Sequence, residues 1–176
     1  MNRRQFMSAS FRAAAAVGLA PQASAASNER IERARQAALD ALKATPQQIE
    51  HGLELHASSI VMESYGFSPR CALDGAAMRA AIEAGASDLE LQDLSEDMSM
   101  TRCVTSDAER AEFLNAWKAA GMTAIFQNAC EEGQAPLQLM KRLARYTYVT
   151  DMLRDHVFKA VRPDDIIAAK KQNRHC

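Results

Sequence analysis

Alanine outnumbers valine and isoleucine together by 34 to 13 across the 176 residues, and that imbalance restricts the fold more than any other feature. Strands draw on β-branched and aromatic side chains, whereas alanine loses no side-chain entropy in a helix, so such a chain folds as many helices and few strands. The length suits one ordinary domain. A net charge of −1 gives no electrostatic drive toward nucleic acid or an anionic membrane, and neither is expected as a partner.

The helices announce themselves by their ends. A helix is expected over 28–43, with Asn28 as its cap and Ile31, Ala34, Ala38 and Leu42 on one face. Thr45-Pro46-Gln47-Gln48 carries a capping-box pattern with proline at the first helical position. Asp74 caps a short alanine-rich helix closed by Gly85, and Ser106-Asp107-Ala108-Glu109 opens another that ends at Gly121. Pro136 starts a long helix to about His156. Its two apolar stripes, one through Leu139, Leu143, Tyr146, Val149 and Leu153 and one through Leu137, Met140, Ala144, Tyr148 and Met152, predict a wide buried face. A last helix begins at Pro163. Two continuous apolar runs, Ser59–Met62 and Met122–Phe126, fit buried strands. Strands separated by helices are the rhythm of a parallel α/β sheet.

The stretch 87–105 holds Asp88, Glu90, Asp93, Glu96 and Asp97, and reads as a solvated loop or short surface helix rather than a cation site. Cys71, Cys103, Cys130 and Cys176 are too far apart for a C-x-x-C motif; four cysteines permit disulfides and leave three pairings open, with free or opportunistically paired structural cysteines favoured. His51 and His56 stand five apart, about 140° around a helix, and share no face. His156 falls near a helix carboxyl end, where an imidazolium is favoured, and His175 has no neighbouring ligand in sequence. No catalytic triad or glycine-rich phosphate loop is present, so no catalytic residue is assigned.

The first 25 residues resemble a twin-arginine export signal. Arg3 and Arg4 are followed by Phe6 and Met7, then by the alanine-rich 13–20, and Ala23-Ser24-Ala25 makes an A-x-A cleavage site. The apolar stretch is shorter than the roughly 20 residues that span a bilayer, so no transmembrane segment is expected. The resemblance implies a mature chain of 26–176, with 18 basic and 22 acidic residues, carried by the twin-arginine machinery to the periplasm or outside the cell.

From about Pro46 to Cys176 the chain resembles the membrane (renal-type) dipeptidase family. Leu53-Glu54-Leu55-His56 running into Ser59-Ile60-Val61-Met62-Glu63 is similar to the family's first barrel strand and the helix before it. Gly121 to Asn128 is similar to the second strand. The third stretch is the Pro136 helix, with Leu143-Ala144-Arg145-Tyr146 and Val149-Thr150-Asp151-Met152. The resemblance implies the N-terminal part of a (β/α)8 TIM-type barrel, helix-rich and incomplete in this chain. In the family, two zinc ions activate a bridging water for hydrolysis of dipeptides.

The family's first strand ends in Asp-Gly-His-x-Asp, whose His and second Asp bind zinc. Here Glu63 falls on the first Asp, Ser64 on the Gly, Tyr65 on the His and Phe67 on the metal-binding Asp. Only Glu63 keeps a carboxylate, at a position that is not a primary ligand. Asp74-Gly75 is followed by Ala76 and Met78, which also lack ligands. The resemblance thus implies a truncated chain that binds no zinc and hydrolyses no dipeptide alone, although a full-length form would take a small peptide. The alternative is a small exported helical binding or scaffold protein.

Overall fold

Four of the helices start where the side chain of Thr45, Asp74, Ser87 or Ser106 accepts from the first amides. In the computed structural model, which describes residues 24–130 and 133–176, the elements run α1 (Ser24–Leu42), α2 (Pro46–Ser58), β1 (Met62–Gly66), α3 (Gly75–Glu83), α4 (Asp88–Thr105), α5 (Asp107–Ala120), β2 (Ala124–Gln127), α6 (Pro136–Met152) and α7 (Pro163–Lys171). Gln48 N–H donates to Thr45 Oγ1 at 3.3 Å while Thr45 N–H donates to Gln48 Oε1 at 2.8 Å, the reciprocal box expected for α2. Asp74 accepts from the amides of Ala76 and Ala77, and the Ala77 and Ala76 bonds hold its carboxyl below the usual range. Gly121 ends α5 at φ 62°, where glycine alone is unstrained. A Cβ there would also lie 2.4 Å from Cε1 of His56, whose ring rests on the glycine.

The chain divides into two units at His51 and Gly52. Among the described residues the first unit contains α1 and the opening of α2. Its first helix begins at Ser24, so Asn28 is interior to the helix and not its cap.

In the second unit, β1 and β2 pair in parallel, Met62 opposite Ala124 and Glu63 opposite Ile125, with an irregularity before Gly66 opposite Gln127. The first strand lies later than its apolar run, because Val61 O accepts from Ala124 N–H just before β1 and pairing then continues through Glu63–Gly66. Three helices, α3–α5, connect the two strands, which makes the protein a helix-rich α/β chain with a small parallel sheet.

Cys176 extends that sheet on the side of β2 away from β1. Its N–H donates to Thr123 O at 2.9 Å, and Ile125 N–H donates to Cys176 O at 2.9 Å, the paired bonds of a parallel ladder. His175 forms a parallel bridge with Val157 just before it.

The acidic stretch 87–105 is neither a loop nor a surface helix. It is α4, and α3, α5 and α6 all pack on it. The reason lies in residues 45 or more positions away. Arg145 of α6, 8% exposed, donates to Asp93 Oδ1 at 2.7 Å, to Asp97 Oδ1 at 3.1 Å and to Glu96 Oε2 at 3.4 Å. Arg142 grips Glu96 through both carboxylate oxygens at 2.6 and 3.1 Å, and Lys141 reaches Asp93 at 2.7 Å. The cations these acids bind are the protein's own. At the far end of α4, Arg110 donates to the carbonyls of Cys103 at 3.0 Å and Val104 at 2.5 Å, closing two open helix carbonyls.

The core is small. Cys71, Cys103, Val104, Phe113, Trp117, Val149, Leu153 and Val157 cluster behind the sheet, with Leu114, Met122 and Ile125 packed against them. The wide buried face expected of α6 is absent. Its first stripe buries Val149 and Leu153, but Leu137, Met140, Ala144, Tyr148 and Met152 of the second are exposed because Arg145 and its carboxylates occupy the contact with α4.

The carboxylate–arginine cluster makes stability sensitive to acid. Hydrogen bonds from Lys141 and Arg145 lower the carboxyl of Asp93, and those from Arg142 lower that of Glu96. A lowered folded-state pKa contributes stability above the unfolded pKa, about 4, and loses it as pH falls through the folded value. We predict that Arg145→Ala costs about 2–3 kcal/mol in urea unfolding at pH 7, the partial exposure of Asp93 and Asp97 softening a buried-pair loss. We also predict that the difference from wild type shrinks below about pH 4. A difference independent of pH would refute the cluster's role.

Candidate functional site at the carboxyl ends of the strands

Parallel α/β sheets present their sites beyond the carboxyl ends of the strands, and here one glutamine organises that end. Gln127 Oε1 accepts from Ser68 N–H at 2.6 Å, while its Nε2 donates to Gly66 O at 3.2 Å and Asn128 O at 3.1 Å. Asn128 N–H donates to Gly66 O at 3.1 Å, Asn128 Nδ2 to the Tyr65 hydroxyl at 2.8 Å, and the Tyr146 hydroxyl to Asn128 O at 3.3 Å. Gly66 is required because a Cβ would meet Cγ of Glu63 at 2.4 Å and Cγ2 of Ile125 at 3.0 Å.

The residues singled out from sequence fall in this neighbourhood without forming a metal cage. Glu63 is exposed, and its carboxylate accepts from Tyr65 N–H at 3.2 Å. Tyr65 and Phe67 are exposed and pack edge to face at 6.4 Å between ring centroids. A phenol bonded to an amide and a phenyl ring do not supply the imidazole and carboxylate donors of a zinc site, so the residues present do not fit the metal. Among the described residues no group of three or more His, Cys, Asp or Glu side chains is placed to hold an ion. Arg3, Arg4 and Phe6 lie outside the described residues.

The histidines take structural places. His51 and His156 are exposed, and His56 covers Gly121. His175 stacks on Trp117 at 5.0 Å between centroids, and its Nδ1 is 2.7 Å from Met122 O, so that nitrogen carries the proton. Burial lowers its pKa below the ordinary imidazole range.

Beside β2 a cavity of about 550 Å3 opens, lined by Phe113, Trp117, Phe126 and Tyr146, with Arg70 and Lys159 as its charged members. Burial raises the Tyr146 phenol. The Gln127 amide, the Tyr146 phenol and two cations around an apolar hollow are groups that can bind and orient a ligand. Gln127 and Asn128 stand out in the sequence only as polar residues closing an apolar run. Their partners Gly66 and Ser68 are about 60 positions away, which no local signal reveals. Among the described residues no helix is long and apolar enough to cross a membrane.

Comparison with known proteins finds no match among protein-family models, curated proteins or solved structures.

Gln127→Ala should release the segment after β1 while leaving the helices intact. The expected result is at least about tenfold faster tryptic cleavage after Arg70, with an unchanged far-UV circular dichroism spectrum, because the bonds to Gly66 and Ser68 that close this segment are lost together. Equal cleavage rates would mean that the glutamine holds nothing in place.

Proposed function

We propose that the chain is the exported N-terminal part of a membrane-dipeptidase-like (β/α)8 barrel, supplying strands and core but no zinc ligands. The observation that carries this reading is the parallel placement of Cys176 on β2, which gives a β1–β2–Cys176 order in chain sequence. Sequential parallel neighbours joined by helices are how a (β/α)8 barrel begins. The exposed apolar surface over the sheet supports the same reading. Ile60, Met62, Phe126, Val161 and Ile167 border one hollow and are all exposed, a patch that further elements of a barrel would cover.

In the family, zinc supplies the activated water and a small peptide is the substrate. On this reading both belong to the full-length barrel, and Tyr65 and Phe67 stand where the first metal ligands would be. The twin-arginine resemblance of Arg3, Arg4 and Phe6 supports a periplasmic or extracellular location, with the export machinery as partner.

A second reading, a small exported helical binding module, is favoured by the 550 Å3 apolar cavity with its two cations. The two readings differ in the DNA downstream of the Cys176 codon and in how the chain melts. The barrel reading predicts that this DNA encodes further βα units with a Glu and two His at strand ends. It also predicts a mature chain that self-associates, melts broadly and hydrolyses no dipeptide with added zinc. Chelator-sensitive dipeptide hydrolysis would overturn the inactive-segment reading. A monodisperse monomer with a sharp two-state melt would favour the binding module.

A further inference from the structure

Cys71 and Cys103 lie against each other in the core, and neither belongs to the site at the strand ends. Cys103 N–H donates to Cys71 Sγ at 3.1 Å, which sets the Cys71 sulfur against the Cys103 residue. Their backbones are already held in place. Cys71 N–H donates to Ser99 O at 2.8 Å, Ala72 N–H to Glu109 at 2.9 Å, and Arg102 of α4 donates to Ala72 O. A bond between the sulfurs would join the segment after β1 to the helix on which α3, α5 and α6 pack.

We propose that Cys71 and Cys103 are a redox-modifiable pair that forms an intramolecular disulfide by exchange with an external disulfide. The inference goes beyond the dipeptidase-like reading and does not depend on it. Of three possible pairings, the geometry selects this one, leaving exposed Cys130 and half-buried Cys176 outside it.

The two thiols have different parts. Cys103 is fully buried, and desolvation together with the neighbouring Cys71 pushes its thiol up to about 12. Cys71 retains 8% exposure, and its thiol is also raised by burial. Cys71, once deprotonated, is therefore the attacking sulfur. It displaces one thiolate from the external disulfide and forms a mixed disulfide. Cys103 then loses its proton and attacks the Cys71 sulfur, expelling the second thiolate. The protein loses two protons and two electrons, and the external disulfide is reduced to two thiols. High thiol pKa values make the reaction slow at neutral pH and faster in base. The closed loop joins residues 32 positions apart, long enough to restrict the unfolded chain substantially.

The test uses the full mature chain incubated with glutathione disulfide at pH 7 and pH 9, alkylated without reduction and digested for peptide mapping. The expected product lacks two hydrogens, carries a Cys71–Cys103 cross-link, forms faster at pH 9, and melts on the order of 5–10 °C above the reduced protein. A Cys130→Ser/Cys176→Ser variant should give the same cross-link. The proposal fails if Cys71 and Cys103 are both recovered alkylated after denaturation. It also fails if glutathione is found only on Cys130, or if the cross-link joins any other pair.

Discussion

The guanidinium of Arg145, buried between α4 and α6, is the contact on which the second unit depends. It is answered by side chains of Asp93, Glu96 and Asp97, spaced so that one face of α4 presents all three. Without those partners an 18-residue helix with five acids in its first ten residues would have little reason to leave solvent. With them it becomes the element that α3, α5 and α6 share. A buried ion pair is often replaceable by apolar groups without loss of stability. Its value here is register, because three acids and three cations match in only one alignment of α4 on α6.

Everything attached to α4 inherits that alignment. Its carboxyl end is closed by Arg110 of α5, which fixes the turn at Ser106, a residue that both ends α4 and caps α5. Its middle holds Cys71 through Ser99 and thereby sets where the chain leaves β1. The core cluster of Phe113, Trp117, Val149 and Leu153 forms between α5 and α6, and Ile125 of β2 packs against it. The sheet is thus a consequence of the helical frame, with only four and five residues in its strands. Two strands alone are rarely stable in water, and here Ile125 of β2 packs against the core cluster while Gln127 ties the strand ends together.

The range of each interaction decides how much of this is legible in the sequence. Most local signals hold, although Asn28, a capping residue type, lies inside α1. The Thr45 box, the Asp74 and Ser106 caps, Pro136 and the Gly121 terminus all lie where their chemistry places them, because each needs partners only a few residues away. The second apolar run lies within two residues of β2. The acidic stretch and α6 mislead for one common reason. A carboxylate row reads as solvated until the arginines opposite it are known, and the apolar residues beside those arginines read as buried. Tyr65 and Phe67 draw attention in the sequence only through a family resemblance, and their edge-to-face packing appears only once the strand is built. The clasp of Gln127 and Asn128 on Gly66 and Ser68 is not legible, since it exists only after two distant strands pair.

The parallel sheet continues past β2 onto Cys176, and amide hydrogen exchange reads that continuation residue by residue. Ile125 N–H is bonded to Cys176 O, whereas Ala124 N–H is bonded to Val61 O on the opposite edge. Removing Cys176 alone should therefore accelerate exchange at Ile125 by at least about tenfold and leave Ala124 as protected as before. Unchanged protection at Ile125, or equal acceleration at both amides, would contradict the placement of a third parallel segment on β2.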